Sequence, residues 1–209
     1  MTLSPYLIPA APLVWEQEIK KSRFIAYMAH TPDPDAAKAF IDEIRIKEPS
    51  AGHHCFAFVA GQPGDSQVLG FSDDGEPSGT AGRPMLAQLQ GSGVGELTAV
   101  IARYFGGIKL GTGGLVRAYG GTLSAALGEL TTIEKRIMVK LTLSADYADQ
   151  PAIEFLLNEY QGSWHQVDYG AKVTGTVLVE ARAATEFSRQ LQDRSQGRVV
   201  AKLATPPIS

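Results

Sequence analysis

The chain has 209 residues, 44% hydrophobic and 20% charged, with a net charge of −3. That length holds one large domain or two small ones, and that charge excludes a global attraction to nucleic acid. No apolar run approaches the ~20 residues that span a bilayer, and the single cysteine, Cys55, excludes an internal disulfide framework.

The first nine residues carry no basic n-region and no long apolar core, so no signal peptide is expected. With the lone cysteine, this points to the cytoplasm. Residues 13–19 and 23–30 read as two strands around the turn Lys20-Lys21-Ser22. Ala37, Phe40, Ile41 and Ile44 recur at helical spacing, which predicts a helix over 35–47 ended by Pro49. Residues 53–60 are rich in strand formers, and 67–72 read as their antiparallel partner. A helix over 80–89 follows, with Pro84 tolerated in its first turn. Residues 96–105 form a strand. A long helix over 113–130 carries Val116, Tyr119, Leu123, Leu127 and Leu130 as its buried stripe.

The pattern resets after a polar connector, 131–136. Ile137, Val139, Leu141, Leu143, Ala145 and Tyr147 alternate with polar residues along a half-buried strand, Met138 excepted. A helix bearing Ile153, Leu156, Leu157 and Tyr160 comes next. Strands over 164–169 and 172–181, a helix marked by Ala184, Phe187 and Leu191, and a strand over 197–203 ended by Pro206-Pro207 complete the chain. The order β-α-β-β-α-β is the ferredoxin-like arrangement. The fold class is therefore α+β in two domains, 1–135 and 136–209.

Two glycine-dense segments carry the chemistry. They are Phe71-Ser-Asp-Asp-Gly-Glu-Pro-Ser-Gly-Thr-Ala-Gly-Arg-Pro-Met85 and Arg103-Tyr-Phe-Gly-Gly-Ile-Lys-Leu-Gly-Thr-Gly-Gly-Leu-Val-Arg117. Each leads into a helical pattern, so exposed backbone N–H groups at helix starts offer a place for phosphate or another anion. Tight turns in a compact α+β domain explain the same composition. Residues 77–128 hold Arg83, Arg103, Lys109 and Arg117 against Glu96 alone, a locally basic stretch. Gly106, Gly107, Gly111, Gly113 and Gly114 surround the start of the long helix, where the Thr112 hydroxyl is positioned to cap. Lys109 and Arg117 can aim at one bound anion there. Gly120-Gly121 suggest close packing of that helix on the sheet. Neither segment matches a P-loop or a dinucleotide fingerprint.

Lys20, Lys21 and Arg23 put three cations in four residues, where a hairpin tip can grip phosphates or be a solvated turn. His53-His54-Cys55 invites a metal reading, but the remaining ligands lack metal-ligand spacing, so no metal site is assigned. His53, at a strand start, can still bind an anion. Cys55 opens an apolar run and reads as a buried, inert thiol. Asp73, Asp74 and Glu76 read as turn chemistry, with Mg²⁺ binding or general-base work as the alternative. No catalytic residue and no cofactor is assigned.

These strings, with Lys21-Ser-Arg-Phe24, resemble the IMPACT family in its bacterial YigZ branch, over nearly the whole chain. The resemblance implies an N-terminal domain of the ribosomal-protein-S5-domain-2-like α/β type and a C-terminal ferredoxin-like domain, both similar to modules of elongation factor G. Eukaryotic members of that family act in translational control, restraining the general-control kinase by competing for its ribosome-associated activator. They carry an N-terminal RWD module; this chain starts directly at the IMPACT domain, so that kinase-inhibitory role is not expected of it.

The expectation is a non-catalytic cytoplasmic binding protein linked to translation or its regulation. Its partners would be RNA, the ribosome or a ribosome-associated protein, with no membrane. The second domain lacks an aromatic-rich stretch, so base stacking on its sheet is not indicated. Charge reversal at Arg103 and Arg117 is expected to abolish binding without unfolding. The alternative is an enzyme acting on a nucleotide or phosphorylated small molecule at the glycine-rich loop. A third reading is a pure protein-interaction module.

Overall fold

The computed structural model describes residues 4–204, which form two compact units. One is Tyr6–Lys135; the other begins at Arg136, and Ser4 and Pro5 group with it.

The first unit is built on a five-stranded antiparallel sheet. Its strands are β2 (Leu13–Ile19), β3 (Ser22–His30), β6 (Leu97–Tyr104), β4 (His53–Val59) and β5 (Leu69–Ser72), in the spatial order β2-β3-β6-β4-β5. Both faces are covered. Phe24, Ala26, Met28, Cys55, Ala57, Ala99 and Ile101 pack under α2 (Gly82–Ser92) and α3 (Thr112–Glu129). Alternate residues of the same strands, Ile25, Tyr27, Val100 and Ala102, pack under α1 (Pro34–Lys47) through Ile41 and Ile44. Burial on both faces is why β6 reads as an unbroken apolar run rather than an alternation. α1 begins where the Asp33 carboxylate accepts the Ala36 N–H at 2.8 Å.

The polar connector expected at 131–136 contains a strand. β7 (Thr132–Lys135) pairs antiparallel with β1 (Tyr6–Pro9). This ribbon is tied to the main sheet by Glu96, a buried residue at φ +51°. Glu96 accepts from the Tyr6 hydroxyl at 2.8 Å, pairs with His30 Nε2 at 2.6 Å and binds the Lys135 ammonium. Burial alone would raise the Glu96 pKa; its three partners outweigh burial and hold it below the ordinary carboxylate range.

Of the stripe expected along α3, Tyr119 and Leu123 are in the core, and Leu127 and Leu130 pack against it; only Val116 departs. Leu115, Ala118, Tyr119, Thr122, Leu123 and Ala126 are buried, whereas Val116 is 40% exposed. Gly120 faces Pro84 of α2 at ordinary contact distance and Gly121 opens to space, so the glycine pair serves a helix–helix approach rather than packing on the sheet.

The second unit runs β8 (Met138–Ala145), α4 (Gln150–Glu159), β9 (Ser163–Tyr169), β10 (Val173–Glu180), α5 (Ala184–Arg194) and β11 (Lys202–Leu203). Its sheet order, β11-β8-β10-β9, with both helices contributing to one core, is the ferredoxin-like topology. The chain is thus an α+β protein of two domains. The last strand is shorter than expected, because residues 198–199 are held elsewhere. Arg198 makes a two-pronged pair with the buried Asp149 at 2.7 and 3.1 Å, and the Val199 N–H donates to Ser195 Oγ. Pro206-Pro207, expected to end that strand, lie outside the described residues. No helix among the described residues is long and apolar enough to cross a membrane.

Candidate functional site at the glycine-rich end of the first unit

One end of the five-stranded sheet gathers most of the sequence-selected residues. The β2–β3 turn is two residues long, with Lys20 at φ +47° and Lys21 at φ +64°, both exposed. Two left-handed residues suit the tight hairpin turn that matches strand twist. The turn lies directly on the glycine-rich loop. A Cβ on Gly106 would come within 1.9 Å of the Lys21 carbonyl oxygen and 2.5 Å of the Ser22 nitrogen. The Gly106 N–H donates to Ser22 Oγ at 3.2 Å. Only glycine permits this seam, which seats the backbone of Lys21 and Ser22 on the loop that carries Gly107 and Lys109.

Arg103 occupies a different environment from the exposed one expected of it. Its side chain is 7% exposed, and Nη1 donates to Glu76 Oε1 at 2.5 Å. Glu76, equally buried, also accepts from the Tyr119 hydroxyl at 2.7 Å. His53 Nε2 stands 4.0 Å from the same oxygen, and His53 Nδ1 meets the Asp74 carbonyl at 2.8 Å. Charge reversal at Arg103 would strand Glu76 in the interior, so the expectation that it leaves the fold intact is corrected. Burial, with Cys55 and Glu76 close by, pushes the Tyr119 hydroxyl pKa upward. Cys55 is fully buried and donates to the Asp73 carbonyl at 3.0 Å; burial pushes its thiol up to about 12.

The carboxylates of the Asp73–Glu76 turn are each engaged locally. Asp73 accepts backbone N–H bonds from Gly79, Ala81 and Gly82 at 2.7–2.9 Å. It thereby caps α2, whose own N-cap residue, Ala81, has no side chain able to do so. Burial opposes ionisation of Asp73, but the three donors outweigh it and lower its pKa. Asp74 accepts the His54 N–H at 2.6 Å.

At the start of α3, Gly111 is the N-cap residue at φ +72° and makes no side-chain cap bond. Thr112 is the first helical residue, so its hydroxyl does not cap as expected. The uncapped helix start therefore presents Thr112, Gly113 and Gly114 to solvent beside Lys109. Two depressions flank it. One, of about 340 Å³, lies over Glu76 and Arg103 and is walled by Phe105, Leu110 and Leu115, with Lys109 and Gly111 also lining it. The other, about 610 Å³, runs between α2 and α3 and brings Arg83 and Arg117 together. Arg23 is further off and partly engaged, 3.2 Å from Glu16 and 4.9 Å over the Tyr104 ring.

Sequence reasoning missed two residues here. Phe105 is 59% exposed on the rim of the smaller depression. An aromatic directly before a glycine pair, at the last position of the expected strand 96–105 and just past the end of β6 at Tyr104, was the available signal. Ser22, buried, accepts from Gly106 and reaches Arg103 at 3.5 Å; nothing local marks it.

Taken together, these features define a two-domain α+β protein whose first domain carries a cationic, glycine-built surface around an uncapped helix start. Residues 20–127 match the Impact N-terminal domain, and residues 143–198 match a domain of unknown function, DUF1949. The chain belongs to the IMPACT family. It is 55% identical to the IMPACT family member YigZ of Escherichia coli, over 93% of this chain and 96% of that one. It is 46% identical to an IMPACT family member of Haemophilus influenzae, over 96% and 98% of the two chains. A crystal structure described as that of a hypothetical protein superposes with a TM-score of 0.69 at 53% identity, covering 98% of each chain.

Proposed function

We propose that this is a non-catalytic cytoplasmic binding protein of translation or its regulation, which engages RNA on the ribosome or beside it through the glycine-rich end of its first domain. The observation that carries the reading is the seam at Gly106. It seats the turn that carries the exposed Lys20 and Lys21 on the glycine-rich loop that leads through Lys109 to the open start of α3, with Arg117 and Arg83 in the groove between α2 and α3. Cations set around accessible backbone N–H groups suit a phosphate backbone, and the exposed Phe105 among them suits an unpaired base. The net charge of −3 confines any such attraction to this patch.

The enzyme alternative draws less support. It needs a free carboxylate near the glycine-rich loop, while Asp73 and Asp74 accept backbone donors and Glu76 is paired with Arg103.

Co-sedimentation of the purified protein with ribosomal subunits, and titration with total RNA and with ATP over a salt series, test the proposal. Binding to ribosomes or RNA that weakens steeply with salt is expected. Saturable ATP binding without RNA affinity would replace this reading with the enzymatic one.

A further inference from the structure

We propose that the cavity over Glu76 and Arg103 takes the terminal phosphomonoester of an RNA strand; the inference rests on the RNA-binding reading above and names which part of the RNA enters. Two independent observations meet at this cavity. The first is the uncapped start of α3, a helix of 18 residues, whose flanking Gly111 and first residue Thr112 line the cavity. The N–H groups of its first turn have no acceptor inside the helix, and no side chain caps them. The helix dipole favours an anion there.

The second observation is Arg103. Its side chain is 7% exposed, and Nε is buried without a hydrogen-bond partner. The rest of the guanidinium is spent inside the protein, Nη1 on Glu76 Oε1 at 2.5 Å and Nη2 on Ser22 Oγ at 3.5 Å. An unmet donor on a buried cation is costly, and an anion oxygen arriving at Nε removes that cost. Two rings flank the guanidinium, Phe24 at 5.4 Å and Phe105 at 5.7 Å. Phe24 is fully buried and Phe105 is 59% exposed, so Phe105 is the ring on the solvent side. Turning that ring aside opens Nε to the cavity and leaves an aromatic face for the terminal base.

The charge balance suits a phosphate. Glu76 also lines the cavity, but Arg103 and the Tyr119 hydroxyl both donate to its Oε1, and Lys109 adds a second cation to the wall. Arg103 Nε, Lys109 and the first-turn N–H groups supply donors for the three free oxygens of a terminal phosphate. An internal phosphodiester or a carboxylate presents only two. A strand end also needs only one way in. Phe105, Leu110 and Leu115 wall a volume of about 340 Å³, at the small end of ligand pockets, which is room for an end rather than for a strand passing through.

The test is calorimetric titration of the whole protein with uridine hexamers carrying a 5′-phosphate, a 3′-phosphate or neither, at one salt concentration. At least one phosphorylated hexamer is expected to bind about tenfold or more tighter than the unphosphorylated one, the gain from one hydrogen bond to a charged group. The phosphate that gives the gain identifies the end that enters. Thr112→Asp places a carboxylate in the first turn of α3, at an exposed position where an acid suits the helix. That variant should melt no lower than the parent and should abolish the gain. Arg103→Lys, if folded, keeps a cation for Glu76 and lacks Nε, and it should lower the gain. Equal affinity for all three hexamers would overturn the end site while leaving RNA binding in place. A gain untouched by Thr112→Asp would overturn its location. Uridine monophosphate binding as tightly as the phosphorylated hexamer would make a free nucleotide the ligand and overturn the strand-end assignment. Failure of every hexamer and of total RNA to bind would overturn the RNA-binding reading itself.

Discussion

Replacing Gly106 by alanine should unseat the β2–β3 turn from the glycine-rich loop. The added Cβ would lie 1.9 Å from the Lys21 oxygen, 2.0 Å from the Lys21 carbonyl carbon and 2.5 Å from the Ser22 nitrogen. All three are backbone atoms in a two-residue turn, so no side-chain rotation relieves the clash. Overpacking of this kind costs about 1–3 kcal/mol. Displacing the turn also breaks the Gly106 N–H bond to Ser22 Oγ, worth about 1 kcal/mol. Gly106→Ala should therefore destabilise the first domain by about 2–4 kcal/mol. Gly121→Ala is the matched control. It lies inside α3 with nothing within 4 Å of the new methyl group, and should stabilise the helix by about 0.5–1 kcal/mol. Urea unfolding of the two variants reads the difference as midpoints shifted in opposite directions at unchanged slope. Because the seam seats the Lys20–Lys21 turn on the loop that carries Lys109, Gly106→Ala should also weaken RNA binding, and Gly121→Ala should leave it unchanged. A Gly106→Ala protein as stable as the parent would refute the seam.

Arg103→Met should cost about 3–5 kcal/mol, because it leaves the Glu76 carboxylate buried without its cation; chemical denaturation checks this. Tyr119→Phe should cost about 1 kcal/mol, for the one hydroxyl bond to Glu76, measured the same way. Stability should fall below about pH 4, where unfolded-chain carboxyls take up protons. Asp73 and Glu96 have folded pKa values below the ordinary ones, so their stabilisation is full above that range and is lost as pH falls through the folded values. Cys55 has the opposite sign. Its folded pKa is raised to about 12, so its contribution is full below the unfolded thiol range and is lost as pH rises toward 12. Melting temperatures at pH 9 to 10 should therefore decline in the parent and decline less in Cys55→Val; equal declines would show that the thiol is not the titrating group.

The elements came through where their signal is local. The α1 stripe of Ala37, Ile41 and Ile44 and the β8 alternation of Val139, Leu141 and Leu143 are buried as their periods require. The β1–β7 ribbon escaped because Thr132–Lys135 has no apolar alternation and its partner strand is at the other end of the domain. Along α3, several apolar stripes satisfy a 3.6-residue period. Only the sheet beneath selects Leu115 over Val116. The candidate site divides in the same way. Glycines set among cations are visible in a string of residues, but the pairing of Arg103 with Glu76 and the seating of Lys21 on Gly106 join segments far apart in sequence. For that reason Arg103 read as a free phosphate contact when it is part of the interior.

The central claim is that Lys20, Lys21, Lys109 and Arg117 grip one RNA backbone. Four such contacts on a single strand predict a slope of about −3 in log affinity against log salt, or roughly a 50-fold loss between 50 and 200 mM. The most direct test is that slope for the parent and for the Lys109→Gln/Arg117→Gln double variant, both at exposed positions. The account predicts a slope near half the parent value in a protein that melts at the same temperature. An unchanged slope in the double variant would place the RNA contacts elsewhere, and an affinity indifferent to salt in the parent would contradict the claim altogether.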